Sequence, residues 1–352
     1  MRASRTSAVL ALRASLFRFR VPHSRAAPAR ILARFFRLLT SFTLIAAPAQ
    51  AGKLNLPPEA SQGLQLIYAG DPDAAMELFR KLQQQQPDHP LGYLLEANAR
   101  WWKLYCEACE IKYGTIDAWR RPRLPADDAY LALADKAIQL AEVQLKPNDT
   151  APMRLYAGMA WLLRGRLLGL RDDRRGTARA GVKAREHLLR AIQLDPDLAD
   201  AYTGLGLYNY YVDTLSAFAR VLRFFMGIPG GDKKTGIRQL ELAMSKGELT
   251  AVEARFYLAK NLRNYDQKYE RAAELLAPLT EQYPQNPIFL LLLGDLNAKL
   301  KRKEPAAKNF RAAQKLEIRD AACRARVQKV AGAALAALGA LGAPAPPAPQ
   351  TR

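Results

Sequence analysis

Between about residues 57 and 338, apolar residues recur at three- and four-residue spacing, the period of a helix with one buried stripe. No stretch alternates Val, Ile or Thr with polar residues as a half-buried strand would. Asp71-Pro72 and Asn286-Pro287 each pair a capping side chain with a proline at the first helical position. Thr250 and Glu253 have the spacing of a capping box. Pro87, Pro147, Pro196 and Pro284 stand where apolar helices should stop. These marks predict about fourteen helices, mostly antiparallel neighbours joined by short turns, and an all-α chain.

Small residues recur within that pattern. Leu293, Gly294, Ala306, Phe310 and Ala313 repeat as Gly63, Gly70, Ala75, Phe79 and Pro87. They recur again as Ala184, Leu188, Ala191 and Pro196, running on into Tyr202, Leu205 and Gly206. This skeleton resembles the tetratricopeptide (TPR) unit, a helical hairpin of about 34 residues whose small residues let its two helices pack closely. The resemblance implies an irregular helical-hairpin solenoid that presents a surface to other molecules. Gly158 and Ala184 are 26 residues apart, more than twice the spacing within a regular unit. The surplus reads as a loop around residues 171–176, and a second break falls around residues 120–125. More specifically, residues 206–240, with Gly206, Leu207, Tyr208, Tyr210, Tyr211 and a later Gly-Ile-Pro-Gly-Gly-Asp turn, resemble the family of the inclusion-body clearance protein and tetratricopeptide repeat protein 39. The chain lacks the Pro-Pro usual in that family near Ser216, so only the fold, a closed-up stack of helix pairs, is carried over.

The N-terminus changes the picture. Residues 1–51 hold nine Arg and no acid, and a basic stretch leads into about ten apolar residues and Ala49-Gln50-Ala51. This is the layout of a secretory signal cleaved after Ala51, with an organellar transit peptide as the alternative. The apolar run is half the length of a membrane span, so the mature chain is expected to have no transmembrane segment. Three segments follow: an extension and signal over 1–51, a TPR-like domain over 52–330, and an Ala/Gly/Pro-rich tail over 331–352 expected to be disordered. Loss of the nine Arg lowers the net charge from +20 to +11. The excess is concentrated in residues 164–190, nine basic against three acidic, and 299–329, eleven against three.

Catalytic chemistry is thinly represented. None of Ser61, Ser216 and Ser245 lies in a G-x-S-x-G elbow. His89 and His187 have no ligand partner at helical spacing. Residues 230–235 contain two Gly and two Lys but lack the Gly-Lys-Thr ending of a phosphate loop, and they read as a helix end followed by Asp232 as the next cap. No cofactor, metal site or catalytic residue is expected, and the chain reads as non-enzymatic. Cys106-x-x-Cys109 is open to three readings: two helical cysteines one turn apart, a structural disulfide between Cys106 and Cys109, or a thiol-disulfide pair.

Binding surfaces remain. In the TPR register, Tyr210, Tyr211, Tyr257, Asn261 and Tyr265, with Asn264, face a concave groove, and rings beside amides suit a peptide or ligand. The residues that let other TPR domains clamp a chaperone C-terminus are absent except Asn261. Arg171, Arg174, Arg175 and Arg179 share the inserted segment and are candidates for contact with an anionic envelope surface. The sequence therefore predicts an exported TPR-type scaffold for a protein or envelope partner, with nucleic acid excluded by export. A hydrophobic-ligand or lipid-associated protein, covered by the apolar stretch 215–228, is the alternative, and a thiol-disulfide enzyme using the cysteine pair is the second.

Overall fold

The computed structural model describes residues 52–108, 123–216, 223 and 227–340, and everything below refers to them. They form thirteen α-helices: α1 (Pro58–Ala69), α2 (Pro72–Gln85), α3 (Pro90–Ala108), α4 (Ala126–Leu145), α5 (Ala151–Leu170), α6 (Arg174–Leu194), α7 (Ala201–Asp213), α8 (Lys233–Lys246), α9 (Ala251–Asn264), α10 (Tyr269–Gln282), α11 (Pro287–Lys299), α12 (Lys303–Gln314) and α13 (Ala321–Ala340). No strand occurs among these residues. Consecutive helices pack as six hairpins, with α13 added as a final helix.

The small residues do what their spacing implies. A Cβ on Gly63 would lie 2.3 Å from a Phe79 ring carbon, and one on Gly294 would lie 2.7 Å from Phe310. Both phenylalanines are buried, so each glycine is the floor on which its hairpin partner's ring rests. Asp71 accepts from the Ala74 N–H, Asn286 from those of Ile288 and Phe289, and Asp232 from that of Thr235, as capping predicts. Thr250 behaves differently. Its hydroxyl and N–H both bond Asp200 at 2.8 Å, and Glu253 bonds Arg166, so no capping box forms.

Two other expectations are corrected. The surplus between Gly158 and Ala184 is not a loop: α5 and α6 are simply longer, at 20 and 21 residues, and only Arg171, Asp172 and Asp173 connect them. Asp173 caps α6 through the Gly176 N–H, which starts the helix at the point read as irregular. At the other end α13 continues ten residues past 330, to Ala340, because Ala331 and Leu338 are buried as the continuation of a stripe begun by Val327.

The two ends of the array meet. The Asn286 side chain donates to the Tyr68 carbonyl at 2.9 Å and Tyr283 Oη to Gln65 at 2.8 Å, joining α1 to the α10–α11 turn across 218 residues. Cys106 on α3 is bonded to Cys323 on α13. Lys103 pairs with Asp320 at 3.0 Å and Arg319 with Asp71 at 3.3 Å beside that junction. Helix α3 is consequently buried on most of its circumference, as a central helix must be. Trp102 is at the centre of the core, with the rings of Phe256, Tyr68 and Phe289 at 5.1, 5.8 and 5.9 Å.

Candidate binding surface

The residues expected to face a groove come together, but α3 packs against Tyr257 among them. Trp101 Nε1 donates to Tyr257 Oη at 2.8 Å and Trp102 Nε1 to Glu253 at 3.3 Å, so α3 reaches across the concave side onto α9. Tyr257 is buried beneath α3, and Tyr210 and Asn261 are buried as well. Tyr211 Oη donates to Asn261 Oδ1 at 3.0 Å, while the Asn261 amide nitrogen is buried without a hydrogen-bond partner. Asn264 accepts from Arg263, whose Nε is 2.6 Å from Asp295.

What stays open is the rim where α7 and α9 end. The rings of Tyr210, Tyr211 and Tyr265 form a trio with centroids 6.0 to 6.2 Å apart, and Tyr265 is 37 % exposed. Asp266 joins them, accepting from Tyr210 Oη at 2.8 Å and pairing with Lys233 at 2.6 Å. On the same helix as Tyr257, Lys260 has no carboxylate within ion-pairing distance among the described residues. Its ammonium rests 5.1 Å from the Tyr105 ring and 5.4 Å from that of Tyr257. Burial, and then the positive charges of Arg166 and Arg263, push its pKa down to about 8.

Arg171, Arg174, Arg175 and Arg179 do not form the anion-seeking loop the sequence suggested. Arg171 makes two 2.6 Å bonds to the buried Asp127 carboxylate. Burial would raise the Asp127 pKa, but the Arg171 guanidinium and the Leu124 N–H outweigh it and hold the carboxyl below its usual range. Arg174 pairs with Asp172 at the surface at 3.0 Å. Arg174, Arg175 and Arg179 all lie on the first turns of α6, within a helix.

Cys106 is likewise corrected. Its partner is Cys323, 217 residues away, and Cys109 lies outside the described residues. Helix α3 turns Cys106 inward, where it is 4 % exposed and faces α13. The apolar stretch 215–228 falls mostly outside the described residues too. Among the described residues no three His, Cys, Asp or Glu are grouped to hold a metal, and no helix is long and apolar enough to cross a membrane.

Sequence reasoning missed the polar core behind the rim. Arg166 bonds Glu253 at 2.9 Å and lies 4.8 Å over the Tyr257 ring. Asp200 accepts from the N–H groups of Glu248, Leu249 and Thr250, fixing the α8–α9 turn. Arg166 and Asp200 each reach a different hairpin, and only the Thr250/Glu253 spacing and the groove position of Tyr257 marked this region in the sequence.

No protein-family description and no curated protein matches the chain. Among solved structures, a thermophilic TPR protein from Thermus thermophilus matches at 14 % identity and a TM-score of 0.31, covering 77 % of this chain and 96 % of its own. Yeast Tom70 also matches at 14 % identity and a TM-score of 0.31, covering 80 % of this chain and 77 % of its own. The reading of the surface rests on this chain's own residues.

Proposed function

We propose that this chain is an exported, non-enzymatic helical-repeat scaffold that holds a protein partner at the α7–α9 rim. The observation that carries the reading is the exposed face of Tyr265 packed on Tyr210 and Tyr211. On the same helix, among the described residues, Lys260 is held by the ring faces of Tyr105 and Tyr257 and by no carboxylate. Tyrosine gives contact area at low entropic cost, and a cation without a carboxylate favours an acidic segment in the partner. Both features belong to recognition. Cys106 supports the scaffold against a thiol-disulfide enzyme, because it is buried in a bond that ties two helices together. No role is transferred from the inclusion-body clearance family that residues 206–240 resemble in sequence pattern, since no family description matches the chain.

Export is supported from two directions. A buried disulfide persists where the surroundings are oxidising. The first residue after the expected cleavage point is also already held: Gly52 N is 2.8 Å from an Asp195 carboxylate oxygen, 143 residues away. Cleavage after Ala51 would turn that N–H into an ammonium facing a carboxylate. Gly52 has a φ of +82°, and a Cβ there would lie 2.6 Å from the Asp197 carbonyl oxygen, so glycine alone suits the position. N-terminal sequencing of the protein from envelope fractions should begin at Gly52, and an unreduced digest should contain a Cys106–Cys323 peptide. A cytosolic chain retaining residues 1–51, or one linked through Cys109, would count against export in this form.

A further inference from the structure

A cleft of 620 Å³ opens between α1 on one side and α8, α9 and α10 on the other, away from the Tyr265 rim. Its size falls in the range of small-molecule sites, about 300–1,000 Å³. Its lining is mixed: half-buried Leu56, Met244 and Val252 form an apolar side, and Ser61, Gln65 and Gln282 a polar one. One wall is a closed relay: Gln282 donates to Tyr283 Oη at 3.0 Å, which donates to Gln65 at 2.8 Å.

Arg255 carries an unpaired charge of the lining, beside a Tyr68 hydroxyl that has no hydrogen-bond partner among the described residues. It lines the cleft, is half-buried, and has no hydrogen bond or ion pair among the described residues. Elsewhere in the core, Arg166, Arg171 and Arg263 each hold a carboxylate. A guanidinium beside aliphatic carbons recognises a carboxylate through two parallel bonds and gains most where water is partly excluded. Glu248, the other charged residue of the lining, is exposed, and its charge disfavours a second negative group.

We propose that this cleft binds an amphipathic monoanion, an acyl chain ending in a carboxylate, with Arg255 on the head group and Leu56, Met244 and Val252 on the chain. Leu56 closes one side four residues after Gly52, so the bond to Asp195 also steadies the wall of the site. The proposal is independent of the protein-binding rim and can fail without affecting it.

Titration calorimetry of the full chain with monomeric dodecanoate tests it. Saturable one-to-one binding is expected, weakened at least tenfold by Arg255→Leu, partly restored by Arg255→Lys and abolished by Val252→Trp. Arg255→Leu should keep the helical circular dichroism and urea midpoint, since Arg255 holds nothing structural. Dodecyl phosphate, largely dianionic at about pH 8, should bind more weakly than dodecanoate, and equal or tighter binding would contradict the selectivity for a single charge. Absent binding, equal binding by Arg255→Leu, equal affinity for dodecanol, or displacement by a hydrophobic peptide at lower concentration than dodecanoate would overturn it.

Discussion

Arg171 and Arg174 are three positions apart in a basic run, yet the structure gives them opposite weight. Arg174 and its partner Asp172 are both exposed, while Arg171 neutralises a carboxylate that is 1 % exposed. Removing one member of a buried pair strands the other charge and costs about 3–5 kcal/mol, whereas exposed pairs contribute about 0–1 kcal/mol. Arg171→Ala should therefore lower the urea midpoint sharply, and Arg174→Ala should leave it almost unchanged. Equal midpoints for the two variants would contradict the assignment. The sequence showed the cluster of Arg but could not separate the two, because the distinction depends on Asp127, 44 residues earlier.

Lys260 supplies a pH test at the same scale. Its folded pKa is lowered to about 8, while an unfolded lysine titrates near 10.4. Between these values the unfolded chain binds more protons, so stability should rise as pH increases through about 8 and above. Buried tyrosines such as Tyr257, pushed up to about 12 by burial, oppose this trend once unfolded tyrosines ionise near 10. The clean window is thus about pH 8 to 9.5. Lys260→Met should be more stable than the natural chain at pH 7 and should lose the rise across that window. A parallel rise in both proteins would contradict the desolvated environment of the amine.

Single helices and hairpins were the most legible level. Four prolines stand two residues beyond the ends of α2, α4, α6 and α10, and three caps form as their residue types imply. Gly63 with Phe79 and Gly294 with Phe310 have the same separation because both are hairpin contacts, and such local contacts leave a periodic trace. Gly63→Val should overpack that contact, costing about 1–3 kcal/mol or more if Phe79 cannot shift. A matched Gly63→Val, Phe79→Leu chain should recover part of the loss in thermal melts. If Gly63→Val alone melts as the natural chain does, the helices are not in contact there. Lengthened elements were less legible, since α5 and α6 grew by whole turns without a marker and resembled a loop insertion.

At the scale of the whole molecule, closure depends on contacts that leave no periodic signal. Gln65 with Tyr283 and Tyr68 with Asn286 join residues 218 apart, and Cys106 with Cys323 joins residues 217 apart. A cross-link over so long a loop removes unfolded-chain entropy worth about 5 kcal/mol in the loop-closure treatment. Cys106-x-x-Cys109 drew attention to a neighbour one helical turn away, while the actual partner was on the last helix. Helix α3 reaches α9 and helps bury Tyr257, while Tyr210 and Asn261 are buried too and Tyr265 stays at the rim. The residues named from the repeat register do cluster, but as a packed wall with one exposed edge instead of an open groove.

That edge is where the scaffold reading is most exposed to test. A photo-cross-linking amino acid at position 265, in the full chain expressed in living cells, should capture one defined protein. The same group at Lys136, exposed on α4, should not. The product should weaken when Lys260 is replaced by Glu, because an acidic segment would then meet a like charge. Cross-linking confined to position 265 and sensitive to Lys260 is the result this account predicts. No product, or the same products from positions 265 and 136, would contradict it.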